Sequence, residues 1–149
     1  MRAAVTTMGF VGPILWTELV KCESGDKVVV PGKEDPVPFG LVKFRETTVR
    51  TCRDKHLRAE LALCPPEWPI VAAGLEVGDY LQETRNELAG PRALVAVPHP
   101  TGNRGLFFQI FVPTSLSTSQ SVLERIQKAR TTGGFARIST DSQHEHPSE

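Results

Sequence analysis

The chain of 149 residues is poor in the features that mark a disulfide-linked or membrane-spanning protein. Its three cysteines, Cys22, Cys52 and Cys64, are an odd number, so a complete disulfide framework is excluded and reduced thiols are expected. They form neither a CxxC pair nor a Cys/His cluster, and therefore predict no zinc site. No apolar run approaches the roughly 20 residues that a bilayer-crossing helix needs.

Catalytic motifs are missing as well. The sequence has no GxSxG elbow, no P-loop and no GxGxxG fingerprint. His56 and His99 are the only histidines outside the polar end of the chain, and no cysteine lies in a recognisable nucleophile motif. His144 and His146 lie in that polar end, where solvated side chains are expected rather than metal ligands. We therefore expect no catalytic residue, no metal and no cofactor.

What the chain does have is segregated charge. It contains 17 basic and 17 acidic residues, which leaves no net charge. Residues 43–58 nevertheless hold a basic excess, with Glu46 and Asp54 as the acidic residues among them. The basic ones are Lys43, Arg45, Arg50, Arg53, Lys55 and Arg58. A basic patch in a neutral protein predicts binding to a polyanion, either nucleic acid or an anionic membrane.

Hydrophobic patterning predicts mostly strands. Residues 57–64 alternate apolar and polar side chains, the period of a half-buried strand. Other strands are predicted over residues 14–20, 27–30, 39–52, 70–77, 92–97, 106–112 and 135–139. A change of face within residues 39–52 predicts a bulge near residues 46–47, and residues 53–56 are predicted to reverse the chain.

Helices are few in this interpretation. A short one fits residues 79–88. An amphipathic one begins at Ser121, which forms a capping box with Glu124, or one turn earlier with Ser117 or Thr118 as the cap, and it ends at Gly133. Consecutive strands favour an α+β fold that is mainly antiparallel β, a β-sandwich-like domain with one or two helices. The globular domain is predicted to span residues 1–140, and residues 141–149 are predicted to be a disordered polar tail.

The predicted strands also divide the basic residues. The reversal groups Arg50, Arg53, Lys55 and Arg58, whereas the bulge separates Lys43 and Arg45 from them. The predicted helix adds Arg125, Lys128 and Arg130, although Glu124 lies four residues before Lys128 and can pair with it. Because Phe44 is the only aromatic residue in the basic segment, base stacking has little support. We expect contacts to phosphate without sequence preference, or to acidic lipid; a solvated strand face is the alternative without a ligand.

Two short motifs resemble known ones. Pro65, Pro66 and Trp68 resemble the Pro-Pro-x-Tyr motif by which some viral proteins recruit WW domains, with Trp in place of Tyr. A rigid loop with Trp68 packed on the core is the alternative. Residues 133–135, Gly-Gly-Phe, resemble the glycine-rich motif of trimeric dUTPases, which makes a small nucleotide hydrolase an alternative function. Residues 78–80, Gly-Asp-Tyr, stand where those enzymes have Gly-Asp-Arg, and so lack its arginine.

Residues 26–32, Asp-Lys-Val-Val-Val-Pro-Gly, resemble a segment near the N-terminus of the bornavirus matrix proteins. A basic turn before an alternating strand, the Asp-Tyr-Leu of residues 79–81 and a late amphipathic helix follow in a similar order. The resemblance implies a β-rich sandwich and a matrix protein of a negative-strand RNA virus.

Such a protein self-assembles, with tetramers associated with the family, and binds RNA or ribonucleoprotein and the anionic membrane surface. The implied location is the virion, under the envelope, and in the host the cytoplasm or nucleus and the inner face of the membrane, during assembly and budding. A protein-interaction domain is a further alternative.

Overall fold

The computed structural model of the chain describes residues 2–19, 46–101, 106–111 and 120–139. These residues belong to two compact units, one of Met1–Ile14 with Pro65–Glu149 and the other of Leu15–Cys64. Several predicted features lie outside the described residues: the strand over residues 27–30, the first part of the strand over residues 39–52, and the polar tail.

The larger unit contains a parallel sheet of three short strands. They are hydrogen-bonded in the order β1 (Ile70–Ala73), β2 (Leu94–Val97), β3 (Phe135–Arg137). The central strand is buried along its whole length, which fits its Leu-Val-Ala-Val sequence, because a strand covered on both faces needs apolar residues throughout. The prediction of a mainly antiparallel, β-sandwich-like fold is therefore wrong. Strands that are separated by helices pair in parallel, whereas the prediction had placed strands in several segments that are helical.

Helices cover both faces of this sheet. They are α1 (Arg2–Thr7), α4 (Leu75–Glu83), α5 (Leu106–Phe111) and α6 (Gln120–Thr132). Helix α4 packs on Ala96, while Val95 and Val97 belong to the core formed with α1, α5 and α6. The chain connects β1 to β2 through α4 on one face of the sheet, and β2 to β3 through α5 and α6 on the other face. Both connections lead to the next strand in the same direction across the sheet. The two crossovers therefore have opposite hands, and one of them is the rare left-handed kind.

The core of the larger unit lies between the sheet and helices α1, α5 and α6. Phe107 and Phe111 of α5 are almost completely buried, and their ring centroids are 5.3 Å apart. The strand predicted over residues 106–112 is thus wrong over α5. A short apolar run has the same pattern in a buried strand and in a buried helix. Four-residue spacing of the two phenylalanines puts both rings on one helical face.

Helix α4 lies very close to the sheet because Gly78 has no side chain. A Cβ atom on Gly78 would lie 2.1 Å from the Cβ of Ala96. Beside it, Arg137 of β3 donates from Nε to Oδ1 of Asp79 over 2.9 Å, which joins the helix to the edge of the sheet. The strand predicted over residues 70–77 consequently ends at Ala73, and the helix predicted over residues 79–88 is α4.

Arg85 connects the segments that lead into the strands. Its Nη1 donates to three backbone carbonyls and its Nη2 to a fourth. The acceptors are Gly90 at 3.0 Å, Arg92 at 2.6 Å, Gly133 at 3.1 Å and Gly134 at 3.2 Å.

The end of α6 at Gly133 confirms that predicted boundary. Gly133 has a φ of 65°, and the Gly134 amide donates to the Ala129 carbonyl at 3.0 Å.

The described residues of the smaller unit include one continuous helical segment. It runs through α2 (Glu46–Cys52), a π-helical stretch (Arg53–Leu57) and α3 (Arg58–Leu63). The predicted strand end at residue 52, the reversal over residues 53–56 and the strand over residues 57–64 are all wrong. Buried side chains recur here every three or four residues, which is the spacing of a helix: Val49, Cys52, Arg53 and Leu57. Residues 14–19, part of another predicted strand, contain no strand either.

We expect Gly78→Ala to destabilise the larger unit. Alanine favours an isolated helix by about 1 kcal/mol over glycine, but here its methyl group would overlap Ala96, and overpacking costs about 1–3 kcal/mol. Urea unfolding followed by tryptophan fluorescence and circular dichroism measures the difference.

The Ala96→Gly substitution provides the matched control for this contact. Alone it should also lower stability, since it places glycine in a strand. Combined with Gly78→Ala it should restore part of the loss, giving a favourable coupling in the double-mutant cycle. A Gly78→Ala protein that is more stable than the parent would contradict the close helix–sheet contact.

Candidate functional site

Four basic residues lie on the solvent-exposed side of the helical segment in the smaller unit. They are Arg50, Lys55, His56 and Arg58, and we call them the cationic face. Buried residues occupy the opposite side of the helix, so the long polar side chains extend into water. The structure thus places three of the predicted basic residues on one helix rather than on two strands.

Asp54 lies within the cationic face. Its Oδ1 accepts from Nη2 of Arg58, four residues later, at 3.0 Å and from Nε of Arg53 at 2.9 Å. Hydrogen bonds from Arg53 and then from Arg58 hold the pKa of the Asp54 carboxyl below its usual value of 3.8. Asp54 therefore offsets one of the three positive charges of Arg50, Lys55 and Arg58, and the face has a net charge of +2 when His56 is left out.

Arg53, predicted at the centre of the basic patch, is not on the exposed surface. Only 7% of the residue is accessible to solvent. Its guanidinium pairs with Asp54, as a buried charge requires. Contact with a large polyanion needs an accessible group, so Arg53 is removed from the candidate site. Its role is to hold Asp54 beside the cationic face.

The other predicted basic residues fall into two groups. Lys43 and Arg45 lie outside the described residues. The remaining three belong to α6 in the larger unit. Arg125 donates to the Arg137 carbonyl at 2.6 Å, and Arg130 donates to the Gly9 carbonyl at 2.9 Å with its guanidinium 4.9 Å from the Phe10 ring centre. These two side chains attach α6 to its neighbours, whereas Lys128 is exposed.

The proline motif adopts a turn. The Trp68 amide donates to the Pro65 carbonyl at 3.0 Å, and the buried Arg92 donates to the carbonyls of both Pro65 and Trp68. Pro66 is exposed and Trp68 is half-buried. A WW-domain ligand is an extended polyproline II segment, so binding of this type would first require the Arg92-bound turn to open.

A second candidate site lies at the carboxyl ends of β1 and β2, and we call it the crevice because the connections after these strands leave to opposite faces of the sheet. After β1 the chain enters α4 on one face, and after β2 it passes His99 and Thr101 before α5 on the other. In open α/β sheets, ligands bind where neighbouring strands send their connections to opposite faces. The Gly74 amide donates to the Val97 carbonyl at 2.8 Å and joins the two strand ends beneath this crevice.

His99 is an exposed polar side chain that follows β2 at this end of the sheet. Its Nδ1 accepts from the Thr101 amide at 3.2 Å and lies 2.9 Å from the Thr101 hydroxyl. The neutral ring therefore carries its proton on Nε2 and offers a donor to a ligand oxygen. Sequence reasoning missed this pair, although Pro-His-Pro-Thr directly after a buried apolar run was the available signal.

The described residues offer neither a metal cluster nor a membrane-spanning helix. Within the described ranges, no three His, Cys, Asp or Glu side chains lie close enough together to hold a metal ion. Among those same residues, no helix is both long and apolar enough to cross a bilayer. In comparisons with known proteins, no family model, no curated protein and no solved structure matches the chain. The candidate sites therefore depend on geometry alone.

We expect Asp54 to titrate below 3.8 in the folded protein. Because its folded pKa is lower than its unfolded one, its ion pairs stabilise the fold fully above 3.8, and this contribution is lost as pH falls through the folded value. Carboxyl-detected NMR titration measures the midpoint. Arg58→Gln should raise the midpoint, while Arg53 still keeps it below 3.8. A parent midpoint at or above that value would contradict the two hydrogen bonds.

Proposed function

We propose that this protein is a non-enzymatic, polyanion-binding protein that contacts phosphate groups of RNA or of an anionic membrane through the cationic face. The observation that carries the proposal is the exposure of Arg50, Lys55, His56 and Arg58 on one helical segment. Arginine and lysine side chains with solvent-accessible tips bind phosphate oxygens without reading sequence.

The electrostatic attraction between the cationic face of one copy and an anionic membrane is small. A basic residue near an anionic membrane contributes about 1 kcal/mol, so a net charge of +2 contributes about 2 kcal/mol. That corresponds to roughly 30-fold enrichment, which is weak for a single copy. Self-association would multiply the effect, because linked copies bind with avidity. We therefore include homo-oligomer formation, with a tetramer as one form, in the proposal.

A matrix role is the more specific form of the same proposal. It would place the protein under a virion envelope, and in an infected cell in the cytoplasm or nucleus and at the inner face of the membrane, between lipid and ribonucleoprotein. The β-rich sandwich implied by the resemblance is not the fold of this chain, so the resemblance does not support this form. Its support is the cationic face and the need for many copies.

We expect Arg50→Glu/Lys55→Glu to fold normally and to lose binding to single-stranded RNA and to phosphatidylserine vesicles. Both side chains are exposed, so the substitutions leave the buried side of the helix unchanged. Fluorescence anisotropy with RNA at several salt concentrations measures the affinity, and the magnitude of the slope against log salt should decrease by about 1.4, since two phosphate contacts are lost. Arg53 is left intact because it is buried.

Arg2→Glu/Lys128→Glu is the matched control, since it makes the same change in net charge on exposed residues of the larger unit. It should leave most of the binding in place. If both double variants lose affinity equally, overall charge rather than the cationic face is responsible. If neither does, the proposed function is wrong.

We also propose a second candidate function, the binding of a small phosphate-bearing molecule in the crevice between β1 and β2. The supporting observation is that the connections after these two strands leave to opposite faces. The Nε2 donor of His99 suits a ligand oxygen, whereas a general base would need this nitrogen unprotonated. This favours binding over the hydrolysis of a nucleotide.

We expect a nucleoside triphosphate to shift the amide NMR signals of Gly74, His99 and Thr101 in the crevice. His99→Ala should abolish these shifts, because it removes the donor at Nε2. Shifts confined to Lys55 and His56 would assign the nucleotide to the cationic face instead. Hydrolysis that depends on His99 would identify a hydrolase and contradict the non-enzymatic proposal.

A further inference from the structure

The smaller unit exposes large apolar side chains beside the cationic face. Leu63 at the end of α3 is 82% exposed, Trp16 is 55% exposed and Leu15 is 46% exposed. Isolated apolar residues on a surface are common, but a tryptophan and two leucines in one small unit need an explanation. We call these three residues the apolar ridge.

A hydrogen bond brings the two parts of the ridge together. The Thr17 hydroxyl donates to Oε2 of Glu60 and thereby attaches the segment containing Leu15 and Trp16 to α3. Leu63 lies three residues after Glu60, on the neighbouring turn of the same helix. Trp16 and Leu63 therefore border the same contact.

Leu63 of the ridge and the cationic face lie on one exposed strip of the helical segment. In α3, Ala59 lies four residues before Leu63 and Ala62 four residues after Arg58, and both alanines are exposed. These two small side chains lie between Leu63 and the basic residues, and they cover neither of them. The strip thus runs from cationic to apolar along one helix.

We infer that this strip binds the surface of an anionic bilayer, with the apolar ridge inserted among the lipid headgroups and the cationic face on their phosphates. The inference rests on the proposed function and selects the membrane as its partner. Basic residues beside exposed tryptophan and leucine are the composition of interfacial helices. RNA fits less well, because Leu15 and Leu63 have no aromatic face on which a base could stack.

The ridge also supplies what charge alone lacks. Two net charges give weak attachment to lipid, and insertion of apolar side chains adds a contribution that salt does not screen. Binding to anionic vesicles should consequently keep a salt-resistant part, whereas binding to RNA should not. A vesicle without charged lipid should be bound only weakly, since the cationic face has no counterpart there.

Trp16 provides a direct readout of insertion. Tryptophan also occurs at position 68, so the experiment uses a Trp68→Phe background in which Trp16 is the only source of tryptophan emission. Mixing this protein with vesicles of phosphatidylcholine and phosphatidylserine should shift the Trp16 emission to shorter wavelength, and brominated lipid should quench it. Vesicles of phosphatidylcholine alone should produce much smaller changes.

Leu63→Gln should weaken binding to the mixed vesicles about tenfold, by removing the insertion of one leucine, and should leave RNA binding unchanged. Val11→Gln is the matched control: Val11 is 88% exposed but belongs to the larger unit, so its substitution should have no effect on either ligand.

The possible failures are distinguishable. A parent protein that binds neither RNA nor vesicles overturns the proposed function and this inference with it. Vesicle binding without a change in Trp16 emission, or with no loss in Leu63→Gln, leaves the cationic face standing and overturns the ridge. If Leu63→Gln instead reduces oligomer size in light scattering and vesicles are not bound, the ridge is a contact between copies and the inference is wrong.

Discussion

The larger unit depends on one guanidinium group. Arg85 follows α4 and binds four backbone carbonyls in the segments that precede β2 and β3. Because Gly134 also accepts from the Leu94 amide at 2.9 Å, the same cluster fixes the pairing of β2 with β3. Guanidinium has five donors in a rigid plane, so it can serve several carbonyls at once, which the single ammonium of lysine cannot do in this geometry. The Arg85 cluster lies at the amino ends of β2 and β3. By fixing these strands it also positions their carboxyl ends, and with them the crevice.

The limits of sequence prediction are clearest in residues 57–64. Their apolar residues alternate as in a strand, but arginine, alanine, glutamate and leucine are all strong helix formers.

Each of the observed strands overlaps a predicted one, and α6 was predicted with its end at Gly133. What the pattern could not give was the pairing direction. That depends on whether helices intervene, and the sequence pattern predicts a strand for one of the intervening helices, α5.

The candidate site was predictable in composition and not in geometry. Local excess of basic residues identified Arg50, Lys55 and Arg58 correctly as exposed cations. Nothing in the sequence distinguishes Arg53 from them, since its burial follows from the helical phase and from the π-helical stretch that shifts this phase. The ridge was equally hidden, because Trp16 and Leu63 are 47 residues apart in sequence and their segments are joined by a tertiary hydrogen bond between Thr17 and Glu60.

In the proposed function, Asp54 limits what the cationic face can bind. Without Asp54 the face would bear three positive charges and would attract a polyanion such as RNA mainly by counterion release. With Asp54 bound to Arg53 and Arg58, part of that charge is already satisfied within the helix. A surface of moderate charge selects partners by a second property, and here the property available is exposed apolar area beside the charge. Lipid headgroups with acyl chains beneath them match both properties at once, and a uniformly charged polymer matches only the first.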